Sequence, residues 1–570
     1  MSGIDKIFDY LVPDEMVSRA SIGARVRINL NGRRVAGWIT DLAQHGSRGS
    51  HIALDRLAPL VAISGAGVEP HLVPLTQWVA NEFFGSWRAT LSSASAPRMR
   101  EKTVHARHGT TVNVPTDEVA SAAAKLLQQG GGLLVVPPVS SALNAVSALA
   151  GTGPVLVVCP TVRMAIMGAA SLRRRGFTTA LVPDDWENAR AGVDVVIGAR
   201  SAVFAPCADV SCIVVIDEHD ESLHEERSPA WDAVSVAQQR AAMQNIPLIL
   251  TSPVPSMKSL VAYADRTLIV PVHQPWPKVS VVDLDEVPVA NSLLSTQLLQ
   301  AVAVQGATTV CVLNTKGKAR LIICKACRTV QSCPKCSSLL TQENGDTLLC
   351  TRCHVEHGTV CVSCGRSSFV VPRGGVSQLR TQLEVSSPNP IVEVTSDSDD
   401  SWTKGSVFIG TEAVLFRISS ADTVVFADID RDLGAPRLTA QSEVLALLAR
   451  AARIVGVNGT VVVQTRQPHH PLMKALASSN VNEALKTVSQ AELSQRQLLR
   501  MPPFSRIVRV SVGADTNINE VGLPDDVEIA RDGNAYLLRS LSRESLSHAV
   551  HHLRGLFGTA VRVHADPDRY

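Results

Sequence analysis

Eight of the chain's twelve cysteines fall in four Cys-x-x-Cys pairs, Cys324/Cys327, Cys333/Cys336, Cys350/Cys353 and Cys361/Cys364. Nothing else in the sequence constrains the fold as tightly. One tight turn at that spacing presents two thiolates to a tetrahedral zinc ion, so four pairs furnish two closed four-sulfur sites with no position left for water. Metals held this way are structural, two Zn2+ per chain. Thiolate softness alone leaves an iron–sulfur cluster as a competing reading, and eight free cysteines as another. The first residues, Met1 to Asp9, carry charges and lack the apolar core of a secretory signal. No run approaches the roughly 20 apolar residues of a membrane span. The expected location is cytoplasmic, where cysteines stay reduced and disulfides are rare.

At roughly 100–200 residues per domain, 570 residues predict three to five domains. A hydrophobic fraction of 45% and a charged fraction of 19% predict large cores rather than disorder. With a formal net charge of only +2, a nucleic-acid role must rest on local basic patches. Such a patch precedes and enters the cysteine array: Lys316, Lys318, Arg320, Lys325, Arg328 and Lys335, with no acidic residue among them. These cations suit a DNA backbone, and they equally suit offsetting the negative charge of metal–thiolate clusters.

The pattern along the chain divides it. Residues 24–30 and 35–42 read as strands around the turn Asn31-Gly32, and residues 72–84 as an amphipathic helix. Residues 93–116 are rich in Ser, Pro, Arg and His and read as a linker. From about residue 118, short apolar runs alternate with helical patterns (133–136, 155–159, 178–182, 193–197, 212–216 and 248–250). A second series follows at 279–282, 309–313, 391–394, 407–409, 424–427 and 461–464, interrupted by the cysteine array. Continuous apolar strands separated by helices predict parallel sheets covered on both faces. Residues 505–570 alternate strand and helix once more.

The run from Ser211 to Glu221 is an apolar strand ending in Asp217-Glu218, the pair a nucleotide-hydrolysing lobe uses to hold Mg2+ and polarise water. The first strand of that sheet should lead into a phosphate loop, with glycines to turn N–H groups inward, a lysine, and a Ser or Thr for Mg2+. The chain instead has Pro137-Pro138-Val139-Ser140-Ser141-Ala142-Leu143-Asn144, with neither glycine nor lysine.

The ordered set of motifs resembles the PriA family of superfamily-2 replication-restart helicases. The residues that carry it are 7–13 (IFDYLVP), 196–206 (VIGARSAVFAP), Asp217-Glu218-His219-Asp220, the cysteine array after Asn314-Thr315-Lys316-Gly317-Lys318-Ala319, Val463-Gln464-Thr465, Met501-Pro502-Pro503-Phe504 and Asp566-Pro567. The resemblance implies 3′-end capture by Phe8, Asp9 and Gly32. It implies one zinc on Cys324, Cys327, Cys361 and Cys364, and a second on Cys333, Cys336, Cys350 and Cys353. Departures from the family pattern converge on one reaction. The phosphate loop is missing, and the coupling motif reads Ser252-Pro253-Val254-Pro255. A further motif shrinks to residues 410–416. The arginine motif keeps Arg450 and Arg453 but has alanines in place of both glycines.

The expected fold class is a multidomain α/β chain: two RecA-like helicase lobes with a zinc-binding insert, an N-terminal β-rich DNA-binding domain and a small C-terminal α+β domain. Expected boundaries are 1–100 for the 3′-DNA-end-binding domain and 101–117 for a linker too short for the family's winged helix. Lobe one is expected at 118–275, lobe two at 276–500 with the insert at 320–368, and the last domain at 501–570. Asp217, Glu218, Arg450 and Arg453 are expected to be vestigial, and ATP with Mg2+ is not expected as a working cofactor. The expected function is recognition of stalled or branched forks with a 3′ end, and recruitment of other primosome proteins and the replicative helicase loading machinery without unwinding. The competing reading is an ATP-dependent 3′→5′ helicase with an unconventional nucleotide site. A third is a zinc-stabilised protein scaffold with no DNA role.

Overall fold

The structure is a computed structural model. It describes residues 6–43, 56–96, 105–109, 111–287, 292–314, 322–335, 338–341, 347–350, 353, 355–370, 376–394, 398, 405–435, 437–513, 517–518 and 521–567. The chain forms two compact units, one of residues 1–136, 141–270 and 500–567, the other of 137–140, 271–499 and 568–570.

The first unit opens with an antiparallel sheet of β1 (Arg25–Leu30), β2 (Arg33–Trp38) and β3 (Ala62–Gly65), in the order β2-β1-β3. Asn31 and Gly32 take φ of 49° and 76° between β1 and β2. Two consecutive left-handed residues make the hairpin turn whose twist matches that of the strands, which is why Asn-Gly marks it in sequence. Val26, Ile28, Ile39, Leu60 and Ile63 form the core beneath this sheet.

A parallel sheet follows, made of β4 (Gly131–Val135), β5 (Val155–Val158), β6 (Thr179–Leu181), β7 (Val195–Gly198), β8 (Cys212–Val215), β9 (Leu248–Ser252) and β10 (Thr267–Ile269). Its order is β10-β4-β9-β8-β5-β7-β6. Strands β5, β7, β8 and β9 are buried along their whole length, as near-continuous apolar runs require when helices cover both faces. Gly131, at φ +94°, opens β4, and a Cβ there would lie 2.3 Å from the Leu248 carbonyl oxygen. Six of the seven strands coincide with the apolar runs. The seventh, β10, is a three-residue, partly exposed edge strand with no long apolar signal.

Arg240, fully buried on the helix Ala233–Gln244, donates to the carbonyls of Val203 at 2.7 Å and Ala205 at 2.9 Å, fastening the 196–206 segment to the lobe. Burial pulls its pKa down to about 10.

The second unit contains β11 (Lys278–Asp283) and β12 (Thr309–Val312). The insert then supplies β13 (Ile323–Cys324), β14 (Leu340–Thr341), β15 (Thr347–Cys350), β16 (Glu356–Gly358) and β17 (Phe369–Val370). The chain returns to the sheet with β18 (Ile391–Val394), β19 (Val407–Gly410), β20 (Thr423–Phe426) and β21 (Thr460–Thr465), giving the parallel order β11-β21-β20-β12-β19-β18. The insert rests on this lobe. Arg328 pairs with Asp285 at 3.2 Å, and Leu339 N–H donates to the Gly434 carbonyl at 3.3 Å.

The C-terminal part of the first unit is an antiparallel sheet of β22 (Arg506–Ser511), β23 (Glu528–Asp532), β24 (Ala535–Ser540) and β25 (Arg562–Ala565), covered by the helix Arg543–Phe557. Arg506 and Arg543 both pair with Glu82, and Arg554 donates to the Phe84 carbonyl.

Candidate metal centres, nucleotide motifs and DNA surface

The insert gathers its cysteines from turns distant in sequence. Cys324, Cys327, Cys361 and Cys364 bring four sulfurs within 4.8 Å of one another, with Cys324–Cys364 and Cys327–Cys361 each at 3.5 Å. Sulfurs around a tetrahedral zinc at about 2.3 Å sit about 3.8 Å apart, so this cage fits zinc. The two knuckles repeat one geometry. Arg328 N–H donates to the Cys324 carbonyl at 2.9 Å, and Gly365 N–H to that of Cys361 at 3.0 Å. Both donor residues are left-handed, with φ of 61° and 74°. Hydrogen bonds from the Thr329 hydroxyl and backbone bring the Cys327 thiol down to about 6, favouring the thiolate that a metal needs.

Cys333, Cys350 and Cys353 form a second group, with Cys333 and Cys353 at 3.5 Å. Cys336, the fourth expected member, lies outside the described residues. His357 Nε2 lies 3.4 Å from the Cys333 sulfur. Of the flanking cations, Lys325 and Lys335 are exposed, while Lys316, Lys318 and Arg320 lie outside the described residues.

Where the phosphate loop would follow β4, Pro137 and Pro138 are buried and contribute no N–H. Ser140 N–H is turned onto the Pro137 carbonyl at 2.9 Å. In the helix Ala142–Ala150, the Asn144 side chain donates to Asp117 and accepts from Arg175 at 2.8 Å. These residues do not fit a triphosphate, because a cradle of free backbone donors and a lysine is what such a ligand requires.

Beyond β8, Asp217 is 3% exposed at φ 49°, and Glu218 is 5% exposed. The Glu218 carboxylate accepts from Ser256 N–H at 2.7 Å, Ser256 Oγ at 2.8 Å and Ser259 Oγ at 2.6 Å, bracing the N-cap Ser256 of the helix Met257–Ala262. His219 Nδ1 and Ser252 Oγ are hydrogen-bonded at 2.8 Å, so the Ser252–Pro255 segment touches the acidic motif. In the second unit, Arg450 lies 3.7 Å over the Phe416 ring and donates to the Leu415 carbonyl at 2.9 Å. Arg453, one turn on, is exposed.

Sequence reasoning missed an acidic group at the carboxyl ends of β12, β19 and β20. Asp428 and Asp430 are buried, and Asn314 Nδ2 joins Asp432 at 3.0 Å. Burial pushes the Asp430 and Asp432 carboxyls up to about 7. Asn314 also accepts from Glu412 N–H at 2.7 Å, tying the segment before the cysteine array to residues 410–416. The repeated acids of residues 428–432 were the available signal.

Phe8 is 43% exposed, not a core aromatic, and Asp9 is exposed beside it. Their neighbour Tyr10 donates to the Asn29 carbonyl at 3.0 Å, so this segment runs along the hairpin that carries Gly32. On the same hairpin, the register pairs Arg25 with Trp38, Arg27 with Ala36 and Asn29 with Arg34. This places Arg25, Arg27 and Arg34 on one face, a basic ladder that sequence reasoning did not single out. Alternation of Arg with apolar residues in 25–28 was its signal.

Comparison with known proteins agrees with this layout. Residues 1–96 match the family model of the PriA 3′ DNA-binding domain. The chain is 28% identical to the replication restart protein PriA of Synechocystis sp., over 63% of this chain and 49% of that protein. It is 26% identical to the PriA of Bacillus subtilis, over 59% and 46%, and 29% identical to that of Treponema pallidum, over 55% and 51%. The chain thus spans about half the length of the curated relatives it matches. Among solved structures, T. fusca Cas3 aligns with 68% of this chain and 57% of its own, at 14% identity and a TM-score of 0.35. Through its N-terminal domain and over about half the length of these relatives, the chain is similar to the PriA replication-restart proteins.

Proposed function

We propose that this protein is a DNA-binding organiser of replication restart. It engages branched or stalled forks through a 3′ end held near Phe8, Asp9 and Gly32, and it recruits other primosome proteins and the helicase-loading machinery. The exposed Phe8 offers a stacking face, and Arg25, Arg27 and Arg34 on one face of the hairpin offer backbone contacts. Two zinc ions hold the insert, one on Cys324, Cys327, Cys361 and Cys364 and one on Cys333, Cys336, Cys350 and Cys353. Among the described residues, no helix is long and apolar enough to cross a membrane, and the work proposed here belongs to the cytoplasm.

The proposal excludes ATP-driven unwinding, and the observation that carries this is the turn after β4. Two buried prolines stand there in place of N–H donors, and no lysine is present. Phosphoryl transfer depends on positioning and charge neutralisation around the phosphates. Loss of one good electrostatic contact costs about 3–4 kcal/mol, a rate factor of roughly 10²–10³, and several are missing. The second reading, an active 3′→5′ helicase, is favoured by Asp217, Glu218 and the His219–Ser252 contact. An ATPase assay with forked DNA, run beside a nucleotide-binding titration, decides between them. The expected result is background hydrolysis with fork binding intact. DNA-stimulated hydrolysis abolished by Glu218→Gln would establish the helicase instead.

A further inference from the structure

Gln331 lies inside the insert, fully buried, on the three-residue bridge between Thr329 and Cys333. Its side chain reaches both halves of the first cysteine cage. Nε2 donates to the Thr329 carbonyl at 2.8 Å and to the Cys361 sulfur at 3.4 Å. Oε1 accepts from Val362 N–H at 3.1 Å. Thr329 belongs to the Cys324–Cys327 knuckle, since its carbonyl accepts from Cys324 N–H at 3.0 Å. Cys361 and Val362 belong to the other knuckle, 30 residues away in sequence. The Gln331 backbone is equally engaged. Its N–H donates to the Ile322 carbonyl at 2.8 Å, and its carbonyl accepts from Leu340 N–H at 3.0 Å.

A buried primary amide is costly unless its donors and acceptor are used. Here each is used, and each contact joins one part of the cage to another. Four thiolates on one zinc ion leave a net charge of about −2, which N–H donors to sulfur offset. The donors to the Cys361 sulfur include Ser363 N–H at 3.4 Å and Gln331 Nε2. We infer that Gln331 is a positioning residue for the first metal site: it holds the two knuckles at cage distance, and its N–H donates to the Cys361 sulfur so that this ligand stays in place. The inference rests on the zinc reading above. It adds that one non-cysteine side chain governs how firmly one of the two ions is held.

The test uses the full chain. Zinc content is measured first, and then zinc release to a colorimetric chelator is followed in wild type, Gln331→Met and Gln331→Glu. Met keeps the shape and removes every hydrogen bond. Glu keeps the acceptor for Val362 and removes the donors to Cys361 and Thr329. Both variants should release one equivalent about 10–100-fold faster than wild type, with the second equivalent at the wild-type rate. Cys324→Ser, which removes the first site, should abolish the fast phase. In the cobalt-loaded protein, both variants should shift the sulfur-to-metal charge-transfer band to lower energy, because the sulfur lone pairs lose a donor. A role in packing alone would leave that band in place. Unchanged release, or equal acceleration of both equivalents, would overturn the inference while leaving the zinc reading intact. A wild-type chain without metal would overturn both.

Discussion

Glu218 stands in the acidic motif after β8, and its three acceptor contacts are with the start of the helix Met257–Ala262. Replacing it by alanine strands the Ser256 and Ser259 donors in a buried setting. The expected cost is about 1–3 kcal/mol, read by urea denaturation, with fork binding unchanged. A variant as stable as wild type would show that these contacts contribute nothing. Phe8 presents the reverse case, an apolar side chain left half in water. Phe8→Ala should lower the preference for forks with a free 3′ end more than it lowers total affinity, by titration of matched forks and blunt duplex. Total affinity should itself fall as salt rises, because phosphate contacts release counterions. Equal binding to every DNA form before and after the change would remove end capture.

At the scale of elements, the insert is the part least able to stand on its own core. Its buried apolar residues make two small groups, one of which includes Cys333 and Cys350 themselves. In a module that small, metal binding supplies folding free energy directly. Cys333→Ser should therefore unfold the insert locally and leave β4–β10 intact. Limited proteolysis is expected to cut within 322–370 and spare 131–269. Elemental analysis of the wild type should give about two zinc ions per chain, four thiolates to each. One ion, or mainly iron, would refute the assignment.

For the whole chain, the two units carry buried carboxyls shifted in opposite directions. In the first unit, burial alone would raise Asp232, but Lys258, His224 and the Ser235 contacts outweigh it and hold the carboxyl far below the usual range. A lowered folded pKa contributes stability that is present above about pH 4 and lost as pH falls further. In the second unit, Asp430 and Asp432 are raised to about 7, chiefly by burial. Their folded state holds protons that the unfolded state has released, so stability falls as pH rises from about 4 to 7. Peptide-resolved hydrogen exchange between pH 5 and 8 should show β20 and β21 losing protection as pH rises, while β8 and β9 stay level. Parallel loss in both sheets would contradict this assignment of the shifts.

Local pattern alone made several features legible. Apolar runs such as 155–158 and 212–215 mark buried parallel strands, because a strand covered on both faces has no polar side to show. Asn31-Gly32 marks its turn because the backbone there must be left-handed twice. The cysteine pairs announce metal knuckles, since each knuckle closes within a few residues. The loss of two backbone donors at Pro137-Pro138 is equally visible, because proline lacks the N–H wherever it stands. The tertiary structure decided the rest. β10 and β23 are short, partly exposed edge strands whose existence depends on a neighbour already in place. Whether Phe8 is core or surface turns on what packs against it, and the sharing of one cage by Cys324 and Cys361 turns on how the insert doubles back. The bracing of the Ser256 cap by Glu218, the burial of Asp430 and the grip of Gln331 on two knuckles all depend on partners far along the chain. Hydrogen bonding and desolvation act through space, so sequence spacing cannot encode them.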